Sequence, residues 1–239
     1  AGRSYGFGKL PFGNPTLSFS TQAPFHMGFF HEPAIMYMAA PFLKRTYPLL
    51  RIHQYTGLAR LAFDTGHPYW GWRFTGLAMH YVQDLTQPYH ASVSPGNSAA
   101  RLIGINALAM AGLPKWKDEM IVLLSNRHLA LENYESALIR GAAKARTPGL
   151  LGAVLHDTAA DTRYPAWSDR YVRDVVSKEA YDAGAATDRT IVEALPARYV
   201  AEPGFDFGVH SAQIDLAAEL AASDADQRAR LDTTIATLL

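Results

Sequence analysis

The chain has 239 residues, 49% of them apolar, with 22 Lys plus Arg against 22 Asp plus Glu and no cysteine. That length fills one core without requiring a second, so a single domain over residues 1–239 is expected. Zero net charge excludes a broad field that recruits polyanions, and the lack of cysteine excludes disulfides, thiolate ligands and cysteine nucleophiles, leaving His, Asp and Glu for any metal chemistry.

Residues 1–33 are rich in Gly, Pro, Ser and Phe and show no periodicity, which predicts an N-terminal loop arm anchored by aromatics. The opening "AGRSYGFG" has neither an initiator Met nor a charged-then-apolar leader and reads as a processed chain, with a secreted or periplasmic location expected. From Ala34 onward the 3.6-residue period dominates and predicts helices over 34–40, 47–64, 69–87, 99–112, 115–145, 165–183, 185–201 and one or two segments between 209 and 238. Gly66 and Pro68 mark one helix ending and the next beginning, since glycine accepts the left-handed turn and proline suits a first helical position. Sustained Val, Ile and Thr alternation is missing, so the expected class is all-α, a compact multi-helix domain. The longest mostly apolar run, Leu102 to Leu113, is well short of the roughly 20 residues that cross a bilayer.

The predicted helix 69–87 carries a narrow polar stripe of Arg73, Gly76, His80, Gln83, Asp84 and Gln87. Its shoulders are Trp70, Trp72, Met79 and Tyr81, and its back is Phe74, Ala78, Val82 and Leu85. A solvated face is broad and charged; a thin seam walled by aromatics predicts a helix buried nearly all round. His80 and Asp84, one turn apart, aim two ligand atoms the same way, which suits a shared cation or a hydrogen-bonded core pair. A second such pair is His128 and Glu132, on the arc of Ile121, Leu124, Leu131 and Ile139, so it is expected to face inward. A buried Glu132 then needs a cation, either a metal or the neighbouring Arg127. Chance supplies about one His-x-x-x-acid pair in a chain of this composition, so neither pair is decisive alone.

Taken in order, "HYVQDLTQPYH" and then "RHLALENYE" resemble the zinc-dependent phospholipase C family, whose superfamily also contains fungal zinc-dependent single-strand nucleases. There a helix supplies H-x-x-x-D, a Gln-Pro-aromatic step leads to a further His, and a later helix supplies H-x-x-x-E or D; His80, Asp84, His90, His128 and Glu132 fit. The resemblance implies two or three zinc ions. His90, His128 and Glu132 would hold one and His80 with Asp84 a second, with Asp84 able to bridge to a third; Asp84 and Glu132 are thereby the candidate catalytic residues. It also implies an upstream His in an "HFYDP"-like element, for which "FHMGFFHEP" offers both His26 and His31. "VVSKEAYDA" looks like the family's C-terminal helix.

Three departures stand out. The family begins with an N-terminal Trp that binds zinc, followed by a His and an Asp, the latter its proposed base; here no His or Asp precedes His26. Either an N-terminal segment is lacking and held on a separate piece, or those ligands are replaced. The stretch between His90 and His128 is also longer than the family's, and "SPGNSAARLIGINALAMAGLPKW" fills it. Its Leu102, Ile103, Leu108, Met110, Leu113 and Trp116 either pack on the core or present an amphipathic element to a lipid surface.

The implied activity is cleavage of a glycerophospholipid such as phosphatidylcholine, at a membrane surface or micelle, by zinc-activated water attacking phosphorus. A nuclease on the same scaffold is the alternative, though the zero net charge speaks against a stable nucleic-acid partner. An inactive helical binding module with structural zinc is the second alternative. His53 and His67 have no acid one turn on and read as plain hydrogen-bonders, while His156, Asp157 and Asp161 read as a capped loop before a helix.

Overall fold

The computed structural model describes residues 23–159, 161–222 and 225–238; the part of the N-terminal arm expected over residues 1–22 lies outside them. Every regular element is helical and no strand occurs among the described residues, as the missing period-2 alternation implied. The helices fall into two compact units, Ala1–Val93 with Asp169–Asp182 and Ser94–Ser168 with Ala183–Leu239.

The first unit contains α1 (Ala23–His26), α2 (Ala34–Ala39), α3 (Pro48–Asp64), α4 (Pro68–Thr86) and α5 (Pro88–Ala91). The short turn at Gly66, whose φ of 76° is costly for a residue with a Cβ, folds α4 back along α3 into a hairpin. Small residues line its inner strip, with Ala59 and Ala62 buried on α3 and Gly71 and Ala78 on α4. A Cβ at Gly71 would stand 2.5 Å from the Phe63 ring, so the two helices approach this closely only because the position is glycine. Phe25, Ile52, Tyr81, Leu85 and Val172 form the apolar centre of this unit. Each such side chain contributes about 1.5–3 kcal/mol on leaving water.

α4 differs from its expected burial all round. Gly71, Ala78, Tyr81 and Leu85 are buried, whereas Trp70, Trp72 and Met79 are exposed. A wheel shows which residues share a face but not which faces find a partner; the face of Gly71 and Ala78 meets α3, and the two tryptophans on its shoulders are left largely outside.

The second unit is organised by one long helix. Its elements are α6 (Ala99–Met110), α7 (Lys115–Ala145), α8 (Gly149–His156), α9 (Ser177–Ala194, whose first turns belong to the first unit), α10 (Ala197–Val200), α11 (Phe207–His210), α12 (Leu216–Ala221) and α13 (Ala225–Ala236). α7 packs against α6, α8, α10, α11 and α12. Its Asn126, almost fully buried, spends both ends of its amide on the backbone, donating to the Phe205 carbonyl (2.6 Å) and accepting from the Phe207 amide (2.8 Å).

Two boundaries depart from expectation. The helices predicted over 165–183 and 185–201 become a π-helical turn, Val172–Val176, running into a single α9 that ends at Ala194, because Gly184 in an alanine-rich helix costs only about 1 kcal/mol and does not break it. The loop expected after residue 145 contains α8: Arg146 adopts φ 54°, which stops α7, and Pro148 restarts helix. His156 there bonds through Nδ1 to the Gly152 carbonyl (2.6 Å) and belongs to its own helix end.

The extra stretch between His90 and His128 forms α6 and the start of α7. Leu102 is buried, but Leu108, Met110, Leu113 and Trp116 are exposed, so only part of it packs on the core.

Candidate metal centre

The site in the first unit is assembled at the end of α4. His80 and Asp84 lie one turn apart on that helix, which stops because Gln87, held extended before Pro88, cannot continue it. α5 then turns the chain so that the His90 amide donates to the Gln87 carbonyl (2.9 Å), while the His90 carbonyl accepts from the Gly28 amide (2.8 Å). That second bond draws the segment after α1 against α4, and His26 comes with it. Gly28 has to be glycine here, since a Cβ would fall 2.4 Å from Cδ2 of the fully buried Leu85.

Asp84 is the centre of the cluster, its side chain only 10% exposed. His26 Nδ1 lies 2.7 Å from Asp84 Oδ2, His80 Nε2 lies 3.7 Å from the same oxygen, and His90 Nδ1 lies 3.4 Å from Oδ1. The His26 ring meets His80 edge-on at 5.0 Å between centroids and is backed by Tyr81 at 5.2 Å. Asp84 and His90 are buried, while His80 is half exposed and forms the open side. His26, His80 and Asp84 can each turn one ligand atom toward a common point, these atoms lying within 4.8 Å of one another. Two imidazole nitrogens and a carboxylate oxygen fit zinc's preferred donors.

His31 is placed elsewhere. Its Nε2 donates to the Arg173 carbonyl in the π-helical turn (2.8 Å) and its ring lies beside Tyr181. Of the two upstream candidates it is therefore His26 that reaches Asp84. His31 adjoins the Glu-Pro of the motif, but that Glu32 serves a different purpose: its carboxylate accepts from Ser92 Oγ (3.2 Å) and the Val93 amide (2.7 Å), fastening the chain just after His90. Glu32, Gly28 and Tyr81 shape the site without any sequence motif announcing them, since each acts through a neighbour distant in the chain.

In the second unit His128 Nε2 and Glu132 Oε1 are 2.9 Å apart on α7. Arg127, the alternative cation for Glu132, is committed to both oxygens of Asp188 (3.1 Å each) and to the Val200 carbonyl (2.9 Å). The His128 side chain is 17% exposed and that of Glu132 42%, so the pair faces inward only in part and burial by itself does not require a cation there. Ile139, on the same arc, is exposed.

No protein-family model, curated protein or solved structure matches this chain. The likeness to zinc-dependent phospholipases C accordingly rests on the order and spacing of the motif residues.

Proposed function

We propose that this chain is a zinc-dependent phosphodiester hydrolase, a phospholipase C acting on glycerophospholipids after export from the cytoplasm. The observation that carries the reading is the convergence of His26, His80 and Asp84, from two separate helices, on one point beside His90. His26, His80 and Asp84 would hold one zinc. The resemblance assigns a second ion to His90, His128 and Glu132.

Bound zinc polarises phosphoryl oxygens and brings the pKa of water toward neutrality, which is the chemistry phosphodiester cleavage requires. The chain's own groups do the rest. Asp84 sets its carboxyl group where three imidazoles meet, and its bond to His26 Nδ1 orients that ring. Tyr81 and Leu85 close the inner wall, so substrate approaches from the His80 side.

Metal analysis of the purified protein, paired with assays on phosphatidylcholine and on single-stranded DNA, tests the reading. Two or more zincs per chain with release of the phosphorylated head group are expected, and both are lost together in Asp84→Ala. Cleavage of DNA alone would identify the nuclease alternative, and fewer than two zincs with no turnover would identify the inactive binding module. An Asp84→Ala protein retaining full metal and activity would refute the assignment.

A further inference from the structure

The tip of the α3–α4 hairpin is covered by side chains that a water-exposed surface does not explain. Leu61 and Phe63 before the Gly66 turn and Tyr69, Trp70 and Trp72 after it are all exposed, Tyr69 at 65%, Trp70 at 51% and Trp72 at 69%. Two of the chain's four tryptophans thus sit in one exposed turn. Their rings pair along the hairpin, Phe63 edge-on to Trp72 at 5.3 Å, Tyr69 edge-on to Trp70 at 5.4 Å and Trp70 stacked on Phe74 at 5.9 Å, while large parts of them stay in solvent. Contiguous apolar patches of this kind mark places where something other than water is met.

Charge distribution says what is met. Residues 40–79 contain Lys44, Arg45, Arg51, Arg60 and Arg73 but a single acid, Asp64, in a chain whose total charge is zero. Asp64 is itself within 3.6 Å of Arg60. Tryptophan and tyrosine with flanking arginines are the side chains that settle at the head-group layer of a bilayer, where an apolar ring and a polar edge or cation are both accommodated. No helix among the described residues is long and apolar enough to cross a membrane, so the fit is to the interface. Exposed Leu77 and Met79 extend the apolar surface along α4 as far as half-exposed His80.

We infer that the α3–α4 hairpin tip docks into the interfacial layer of a lipid bilayer, with Tyr69, Trp70 and Trp72 at head-group depth and Arg60 and Arg73 against lipid phosphates. The inference stands on the hairpin and does not require the zinc site to be catalytic.

The test is binding of the whole chain to unilamellar vesicles of phosphatidylcholine, with and without phosphatidylserine, read by co-sedimentation and by the tryptophan emission maximum. Binding to both is expected, tighter with phosphatidylserine and weakened by salt. Trp70→Ser combined with Trp72→Ser should weaken binding roughly tenfold or more at unchanged helical spectrum and zinc content. Arg60→Gln with Arg73→Gln should abolish the preference for phosphatidylserine and keep binding to phosphatidylcholine. Met110→Ser with Trp116→Ser, which alters the exposed apolar residues of α6 and α7, should bind as the parent does. If the double tryptophan variant lost its helical spectrum, Tyr69→Ser and Trp72→Ser singly would carry the same expectation. The inference is overturned if the parent chain fails to bind either vesicle at low salt, if the tryptophan variant binds undiminished, or if the α6–α7 variant is the one that loses binding. A parent dimer that the tryptophan variant dissolves, without vesicle binding, would overturn it in favour of self-association.

Discussion

A carboxylate that is only a tenth exposed calls for donors or a cation, and Asp84 bonds His26 Nδ1 through Oδ2 while His90 Nδ1 stands 3.4 Å from Oδ1. Replacing it by Asn keeps the shape but swaps one acceptor for a donor and removes the charge that a metal requires. Asp84→Asn should therefore weaken zinc binding by at least roughly a hundredfold, measured by competition with a chromophoric chelator. His26→Gln should do the same. His31→Gln, in which only the contact to the Arg173 carbonyl is altered, should stay within about threefold of the parent. Equal losses in the two histidine variants would show that the upstream ligand has been misassigned. The same sequence, FHMGFFHEP, offers both histidines at nearly interchangeable positions; what separates them is that Gly28, two residues from His26, can lie against Leu85.

Between helices, the bonds that matter are few and buried. In the first unit Gly28 fits against Leu85 with no room for a methyl group, so Gly28→Ala should destabilise by about 1–3 kcal/mol in chemical denaturation, the usual cost of overpacking a filled core, and should loosen zinc with it. In the second unit the Tyr134 hydroxyl, on α7, donates to Asp232 on α13 at 2.7 Å. Burial and that bond to a carboxylate push the phenol well above the ordinary tyrosine range, so the folded protein keeps the proton where the unfolded chain releases it. The folded state then binds more protons than the unfolded one above about pH 10, and stability falls as pH rises past that point while staying constant below it. Tyr134→Phe should cost about 1–2 kcal/mol at neutral pH, and that deficit should shrink above about pH 10 as the parent declines. Denaturation midpoints at pH 8 and pH 11 check both parts; an unchanged gap would mean that the Tyr134 hydroxyl does not link the two helices.

For the molecule as a whole, metal and folding are thermodynamically linked, because ligands held by α1 and α4 come together only when the first unit is folded. At free zinc about a thousandfold above its dissociation constant, linkage adds about 4 kcal/mol of stability. In a chain of this length that corresponds to roughly 8–16 °C in midpoint. Chelation should lower the melting temperature of the parent by that order and leave Asp84→Ala unmoved; a parent indifferent to chelator would mean that no metal is bound in the folded state. Neutral total charge conceals the basic bias of residues 40–79, which is why composition excluded polyanion recruitment in general without addressing a local lipid contact.

Much of this was readable from composition and spacing. The all-helical class follows from a dominant 3.6 period, the hairpin turn from Gly66 and Pro68, and the pairing of His80 with Asp84 from one helical turn, because each of these depends on residues close in sequence. The choice of His26 over His31, the diversion of Arg127 to Asp188, the partial exposure of Glu132 and the tryptophans left largely outside on α4 depend on which distant segment arrives at each face. Periodicity specifies the direction of a side chain relative to its own helix axis; its neighbours, burial and charge environment are set only when other helices pack, and those contacts are absent from any local pattern.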